Sequence, residues 1–326
     1  KMSISNTTVD IEDSKMTVGA VLTNYLTDWL NFKMEFYGNM LPDEAKVLSE
    51  YFKVPTQLSY NSPVSISESN LIVQKNPESS PMKSADKSIN YGADVTKQLD
   101  LNINVTAGSL EWVDSDVNET SENIKKPSHP TIESKDEGGL TSLTGKVLIK
   151  SDNFKFKGFE WDSVDAEVAF LGDRIDVNVT EANLCGIATP GVLEVTSPTL
   201  RLQFEPFTEK EELSNAIKCL FDKAGIITGD FNLGGTVNSN SDIVDVMTSL
   251  EGDLELTSNG GRVSKYGGLA RFFSVLNFGE IFRGNNIDYE DEGFPYEFIT
   301  ASAYLEEGKL IIKEAAMDGP SLKVVC

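Results

Sequence analysis

Three cysteines and one histidine carry most of the reactive chemistry open to this chain of 326 residues. Cys185, Cys219 and Cys326 form no Cys-x-x-Cys pair, and His129 stands alone in the polar stretch Lys126-Pro127-Ser128-His129-Pro130. A zinc site needs about four clustered nitrogen or sulfur ligands, so neither a metal nor any other cofactor is expected. No Gly-x-Ser-x-Gly elbow accompanies the histidine, which removes the common hydrolase pairings of nucleophile and base. Lysine-based or paired-carboxylate catalysis is not excluded by residue type. With 51 acidic side chains, however, chance pairs abound and none has a spacing that assigns it a role. No catalytic residue is therefore expected.

Two acidic segments and one glycine pair fail specific tests. Asp114-Ser115-Asp116-Val117-Asn118-Glu119 opens like a calcium-binding EF-hand loop, but its sixth position is Glu119 instead of glycine and its twelfth is Lys125 instead of glutamate. Asp288, Glu290, Asp291 and Glu292 read as surface carboxylates. Asn259-Gly260-Gly261-Arg262 lacks the Gly-Lys-Ser/Thr ending of a phosphate loop and reads as a turn. For Cys185, at the end of a strand pattern, and Cys219, inside a helix pattern, the spacing leaves two readings open. They form either a disulfide, worth about 3 to 4 kcal/mol by loop closure, or two buried thiols acting as small hydrophobes.

The elements that must hold these residues are mostly strands. Leu99-Asp100-Leu101-Asn102-Ile103-Asn104-Val105 alternates with a period of two, and so does Leu58 to Val73, with Val64 and Ile66 apolar and then, after a slip, Leu71 and Val73. From Leu140 onward a pattern repeats. Leu143-Thr144-Gly145-Lys146-Val147-Leu148-Ile149 recurs as Ile227-Thr228-Gly229-Asp230-Phe231-Asn232-Leu233 and as Leu250-Glu251-Gly252-Asp253-Leu254-Glu255-Leu256. Each is a strand entered through a glycine, where a bulge or a close backbone approach is tolerated. A hairpin pattern repeats too, Ala166 to Val177 matching Ala301 to Ile312, each with a glycine in the turn. Each copy then runs to a second glycine, Gly186 or Gly319.

Helical signals are fewer. Met16 to Tyr37 shows near-helical apolar spacing, and Pro42-Asp43-Glu44 opens a short helix through Phe52. Thr208-Glu209-Lys210-Glu211 is a capping box before the stripe Leu213, Ala216, Ile217 and Leu220, with Gly225 as its stop. Gly267 to Phe282 carries Leu269, Phe272, Phe273, Leu276 and Phe278 around most of a helix. Asn76 to Ser88 reads as a surface loop and 114–139 as a long polar excursion. The expected division is a β-rich region 1–139 with one or two helices, then a β-repeat region 140–326.

Charge and hydropathy narrow the setting. Twenty-eight basic against 51 acidic side chains give a net charge of -23, which opposes nucleic acid and broad anionic surfaces as partners. The most apolar stretch, Val18 to Phe36, is interrupted by Asn24, Asp28, Asn31, Lys33 and Glu35, so it does not span a bilayer. The chain opens on Lys1-Met2-Ser3-Ile4 with no signal pattern and closes on Leu322-Lys323-Val324-Val325-Cys326 as a strand in progress. Both ends are expected to be cut edges of a longer protein.

Residues 140–326 resemble the C-terminal region of the AsmA-like family, which includes TamB-type bridge-like lipid-transfer proteins. The resemblance rests on Leu250 to Leu256 followed by Gly261-Arg262-Val263, then Leu276-Asn277, Phe294-Pro295-Tyr296, Gly308-Lys309-Leu310 and Met317-Asp318-Gly319-Pro320. Asn183-Leu184-Cys185-Gly186-Ile187 with Lys218-Cys219-Leu220 is similar to a pair seen in some members, which implies a disulfide between Cys185 and Cys219. The resemblance also implies a mainly β fold, an elongated, bent antiparallel sheet forming a groove, with a few short amphipathic helices. It implies a periplasmic location, an inner-membrane anchor outside this chain, and phospholipid or another acyl-chain ligand in support of outer-membrane biogenesis.

The alternating strands nominate the apolar face by themselves: Leu101, Ile103, Val105, Val147, Ile149, Val168, Phe170, Val177, Phe231, Leu233, Leu254, Leu256, Ala301, Ala303, Leu310 and Ile312. Such a face needs cover from a second sheet, a helix or a ligand. Two function classes lead from there: a non-enzymatic lipid groove, and a scaffold that binds envelope or outer-membrane assembly proteins through sheet edges. A carbohydrate-active or proteolytic β protein survives only through its unassigned carboxylates.

Overall fold

A computed structural model describes residues 1–11, 13–24, 30–51, 58–77, 95–112, 142–222, 227–264, 293–320 and 323–325. The fold is mainly β, and the chain divides into two compact units, residues 1–158 with 165–176, and 159–164 with 177–326. The boundary falls later than the expected 139/140 division, because the strand after the polar excursion joins the first unit.

In the first unit, β1 (Met2–Ile11), β2 (Ser14–Thr23) and β3 (Asn31–Met40) run antiparallel in sequence order. Helix α1 (Pro42–Tyr51) follows with Asp43 and Glu44 in its first turn, where carboxylates favour the helix N-terminus. Next come β4 (Leu58–Tyr60), β5 (Val64–Pro77), β6 (Val95–Trp112) and β7 (Ser142–Phe156). β5 lies between β3 and β6, and β7 pairs in parallel with β6 over the whole span from Gln98–Ser142 to Trp112–Phe156. The slip in the alternation is a bulge: the β5–β6 register shifts between Ser67 and Asn70, with Glu68 left-handed at φ 44°.

Met16 to Tyr37 is not helical where it is described. Val18, Ala20 and Leu22 pair across β2–β3 with Phe36, Met34 and Phe32, all on one face. A period of two and a run rich in aromatic and branched side chains outweigh the coincidental helical spacing. At one end of this unit Met40, Ala45, Val64, Ala107 and Leu110 form a closed core that includes α1, with Ile66, Val105 and Ile149 at its margin.

β8 (Phe159–Leu171) and β9 (Ile175–Leu184) form the first of the two expected hairpins, closed by the Leu171 N–H donating to the Arg174 carbonyl at 2.8 Å. The second unit continues with β10 (Ile187–Ala188), β11 (Gly191–Thr196), β12 (Thr199–Phe204) and β13 (Phe207–Glu212), then α2 (Leu213–Phe221). It ends with β14 (Ile227–Asp242), β15 (Glu251–Val263), β16 (Phe294–Glu306), β17 (Lys309–Asp318) and β18 (Lys323–Val325). β14 to β18 pair antiparallel in sequence order.

The capping box is corrected. Thr208 to Glu211 belong to β13, and the Thr208 hydroxyl donates to the Gly186 carbonyl at 2.8 Å. The helix is capped by Glu212, whose carboxylate accepts from the Ser214 and Gly229 N–H groups at 3.4 and 2.9 Å. Pairing of β13 with β14 claims the segment before a helix can start there. Asn259 to Arg262 is likewise not a turn: it lies inside β15, and the β14–β15 register shifts between Gly229 and Asp230 opposite it, with Gly260 at φ 58°. Of the expected surface loop Asn76 to Ser88, Asn76 and Pro77 instead extend β5; its remainder, the excursion 114–139, the aromatic segment 267–282, the carboxylates at 288–292, Gly225, His129 and Cys326 lie outside the described residues.

The two copies of the repeat share one detail that no alternation pattern requires. Gly172 in the first hairpin donates to the carbonyl of Leu143, at 2.8 Å, and Gly308 in the second donates to the carbonyl of Leu250, at 3.2 Å. Leu143 and Leu250 hold the same place in the glycine-led motif, so the turn of each hairpin is pinned to the start of its own motif strand.

α2 covers a core of Leu213, Ala216, Ile227, Phe231, Val263, Tyr296, Ile299 and Met317. Inside it the Tyr296 and Ser258 hydroxyls lie 2.7 Å apart and share two protons among each other and the carbonyls of Thr228 and Asp230, at 2.7 and 2.8 Å. Burial pushes the Tyr296 phenol above its ordinary value of 10.0; the Ser258 bond partly offsets this, and the Glu212 and Asp230 carboxylates add to it. An unfolded chain therefore ionises this phenol before the folded one does, so the stability it contributes is present below pH 10 and is lost as pH climbs beyond it. Urea midpoints of wild type and Tyr296→Phe measured across that range are expected to converge as pH rises. Parallel curves would show that the phenol is not linked to folding.

Candidate apolar ligand face

Cross-strand partners in an antiparallel ladder point to the same side, so the register alone assigns the faces. In the second unit, Leu233, Leu256, Ala301 and Ala315 form one row across β14, β15, β16 and β17. The next row is Gly235, Leu254, Ala303 and Ile312, and the one after it Phe204, Val237, Gly252, Leu305 and Leu310. Gly252 of the motif and Gly235 lie on this apolar side, where a Cβ at Gly252 would overlap the Thr236 carbonyl oxygen and one at Gly235 the Asp253 carbonyl oxygen. Here glycine allows neighbouring backbone to come close and leaves the row low in the middle.

Leu233, Leu254, Leu256, Ala301, Ala303 and Ile312 are half-buried, and Leu310 is 55% exposed. The row before them, Phe231, Ser258, Ile299 and Met317, is closed: Phe231 is only 2% exposed beneath α2. Phe231 is therefore a core residue and no ligand contact, since no surface is left for a ligand to touch. The apolar side of this unit thus has a sealed end under α2 and an unsealed remainder among the described residues.

Val177 lies half-buried on β9 of the same unit, next to the exposed Asn178. In the first unit, Leu101, Ile103 and Val105 of β6 run beside Gly145, Val147 and Ile149 of β7. They continue through Leu71 and Ile66 on β5 to Met34 and Gly38 on β3. Val168 and Phe170 belong here too. Lys146 and Lys150 reach Glu167 and Asp165 at 2.6 Å on the opposite side, which leaves the alternate positions of β8 on the apolar one. All seven candidates of this unit are half-buried.

Several face residues escape the motif-based reading. Val18, Phe32, Met34 and Phe36 were hidden by their helix-like spacing, and Val237, Leu305 and Ala315 lie beyond the repeat window. Alternation counted from the neighbouring candidates would have found the last three.

The opposite sides are polar. Asn232, Thr257, Thr300 and Ala316 form one row, Gly234, Glu255, Ser302 and Glu314 the next, and Thr236, Asp253, Tyr304 and Ile311 the third, so that polar residues outnumber apolar ones there. Lys313 bridges Asp253 at 2.6 Å on that side and sits 5.1 Å from the Tyr304 ring centroid. These exposed ion pairs are worth about 0 to 1 kcal/mol each and serve the surface more than the fold. Among the described residues no three His, Cys, Asp or Glu side chains are grouped to hold a metal ion. Two hollows of about 250 and 390 Å³ flank β3 and β5 near the Glu68 bulge; polar residues such as Glu35, Asn70 and Ser67 line them together with Phe36, Gly38 and Ile66 of the apolar face.

Cys185, left-handed at φ 57° just after β9, is bonded to Cys219 in α2, with their Cα atoms 5.6 Å apart. The bond ties the helix that seals the core to the β9–β10 turn, and an Asn183 side chain accepting from the Gly186 N–H at 2.8 Å holds the same turn. Among the described residues no helix is long and apolar enough to cross a membrane, a statement that does not bear on strands.

Comparison with known proteins gives one informative match. No protein-family model matches the chain, and no solved structure matches it. A stretch of 99 residues, 30% of this chain, is 26% identical to Protein AsmA of Escherichia coli (strain K12) and covers 16% of that protein's length. This chain thus spans far less than two thirds of the relative it matches. The chain is thus similar to Protein AsmA over part of its length.

Proposed function

We propose that this chain is a non-enzymatic lipid-handling protein of the bacterial envelope, facing the periplasm, whose unsealed apolar rows hold the acyl chains of phospholipid in support of outer-membrane biogenesis. The observation that carries this reading is the set of three consecutive rows across β14, β15, β16 and β17, half-buried but for the exposed Leu310; Leu233 and Leu256 of the first border the core under α2, and the next two rows lie beyond it. Each half-exposed leucine left in water forgoes about 1 kcal/mol or more of burial, so an apolar ligand gains by covering them. The similarity to Protein AsmA supports the envelope setting.

Organic extraction of the purified chain followed by mass spectrometry tests it. Phospholipid is expected in the extract, and Leu254→Glu with Ala303→Glu, which places two carboxylates in one row, is expected to lower its yield roughly tenfold with an unchanged circular dichroism spectrum. A wild-type extract free of lipid would overturn the proposal and favour the scaffold, in which side chains alone close the face.

A further inference from the structure

The strand end that carries the Gly308 turn exposes apolar surface that neither the core nor the acyl-chain rows require. Val244 is 81% exposed and Met247 37% exposed, both in the connection between β14 and β15. The connection is a firm platform. The Thr248 and Ser249 N–H groups both donate to the Asp245 carbonyl at 3.0 and 3.1 Å, and the Ser249 and Ser239 hydroxyls meet at 2.6 Å. Gly308 packs against this platform so closely that a Cβ there would overlap the Met247 carbonyl oxygen, while its N–H reaches the Leu250 carbonyl.

The glycine-to-leucine bond recurs at Gly172 and Leu143. It is part of the common scaffold of the repeat, and Val244 and Met247 contribute nothing to it. Their exposure therefore has no explanation in folding.

The rim is acidic. Asp242, Asp245, Glu306 and Glu307 are all exposed around this end, against Lys309, which is already 3.7 Å from Glu307. A carboxylate rim around an apolar centre repels anionic headgroups and attracts cations. We propose that this strand end is a docking site for a protein segment that presents an apolar side chain flanked by Lys or Arg. Interfaces commonly have an apolar centre inside a charged rim, with the centre carrying most of the affinity. The site is independent of lipid binding, since Val244 and Met247 lie outside the acyl-chain rows.

The test uses the whole chain and a short fluorescent amphipathic peptide of leucine and lysine, titrated by anisotropy. Its counterparts are a leucine–glutamate peptide and vesicles of phosphatidylglycerol. Val244→Ser with Met247→Ser leaves the charge untouched at two exposed positions outside the acyl-chain rows and is expected to weaken the leucine–lysine peptide about tenfold. Phe207→Ser, an exposed apolar position on β13 (52%), is expected to change nothing, and the leucine–glutamate peptide is expected not to bind. Equal peptide affinity in wild type and the double variant would reduce the site to bulk acidity and overturn the proposal. Vesicle binding lost on the Val244 and Met247 substitutions would overturn it in favour of a membrane surface.

Discussion

Gly145→Ala is expected to destabilise the first unit by about 3 to 5 kcal/mol, the sum of a positive-φ penalty and a backbone overlap. Gly145 has φ 120°, and a Cβ there would overlap the Leu101 carbonyl oxygen of the parallel neighbour β6. That oxygen belongs to the ladder and moves only if the ladder opens. Two other glycines separate the contributions. Gly158 has φ 84° and empty space around its Cβ position, so Gly158→Ala isolates the conformational cost, about 1 kcal/mol. Gly252 has no positive φ, yet its Cβ would meet the Thr236 carbonyl oxygen, so Gly252→Ala isolates the overlap. Urea unfolding followed by circular dichroism ranks the three. A Gly145→Ala chain no less stable than Gly158→Ala would mean that β7 does not lie against β6 at Leu101.

These glycines also show how much of the fold was legible in the amino-acid sequence. A motif of apolar, glycine and two alternating apolar positions is a local pattern, and local patterns identify β7, β14 and β15 because the alternation of side chains is set by the strand itself. The slip before Leu71 was readable for the same reason, since a bulge changes the phase of the alternation where it occurs. Helix α1 announced itself through Pro42, Asp43 and Glu44.

What escaped depends on partners far along the chain. The parallel pairing of β7 with β6 joins residues separated by a polar excursion, and nothing in either strand distinguishes a parallel from an antiparallel neighbour. Val18 to Phe36 fits both helical and strand spacing, and only pairing across β2 and β3 decides between them. Thr208 to Glu211 has the chemistry of a helix cap, but β14 offers that segment a ladder and the cap passes to Glu212. The candidate face was legible as a set of residues, but its division into a sealed and an unsealed part was not. That division depends on where α2 lands, and α2 lands over Phe231 through contacts with Ile227 and Val263 and through a disulfide.

Removal of that disulfide is the other large expected effect. Cys185→Ser with Cys219→Ser opens a loop with a sequence separation of 34, which corresponds to about 4 kcal/mol of loop-closure free energy. Spread over a unit of this size, that is a drop in melting temperature of roughly 8 to 16 °C. The loss should be concentrated at α2. A helix of 9 residues is too short to hold by itself, and this one is fixed by Leu213, Ala216 and Ile217 against the core, by the Glu212 cap and by the bond to Cys185. Hydrogen exchange is therefore expected to speed up first in 213–221 and in the β9–β10 turn, while amides of β15 and β16 keep their protection. Serine at both positions keeps the size of each side chain nearly constant, so a cavity does not confuse the result. Exchange in 213–221 unchanged from wild type would show that packing of Leu213 and Ala216 alone seals the core and that the disulfide restrains only the unfolded chain. A faster exchange limited to α2, with Phe231 newly reachable by an apolar ligand, would show that the covalent tie keeps this row closed while its three neighbours stay open.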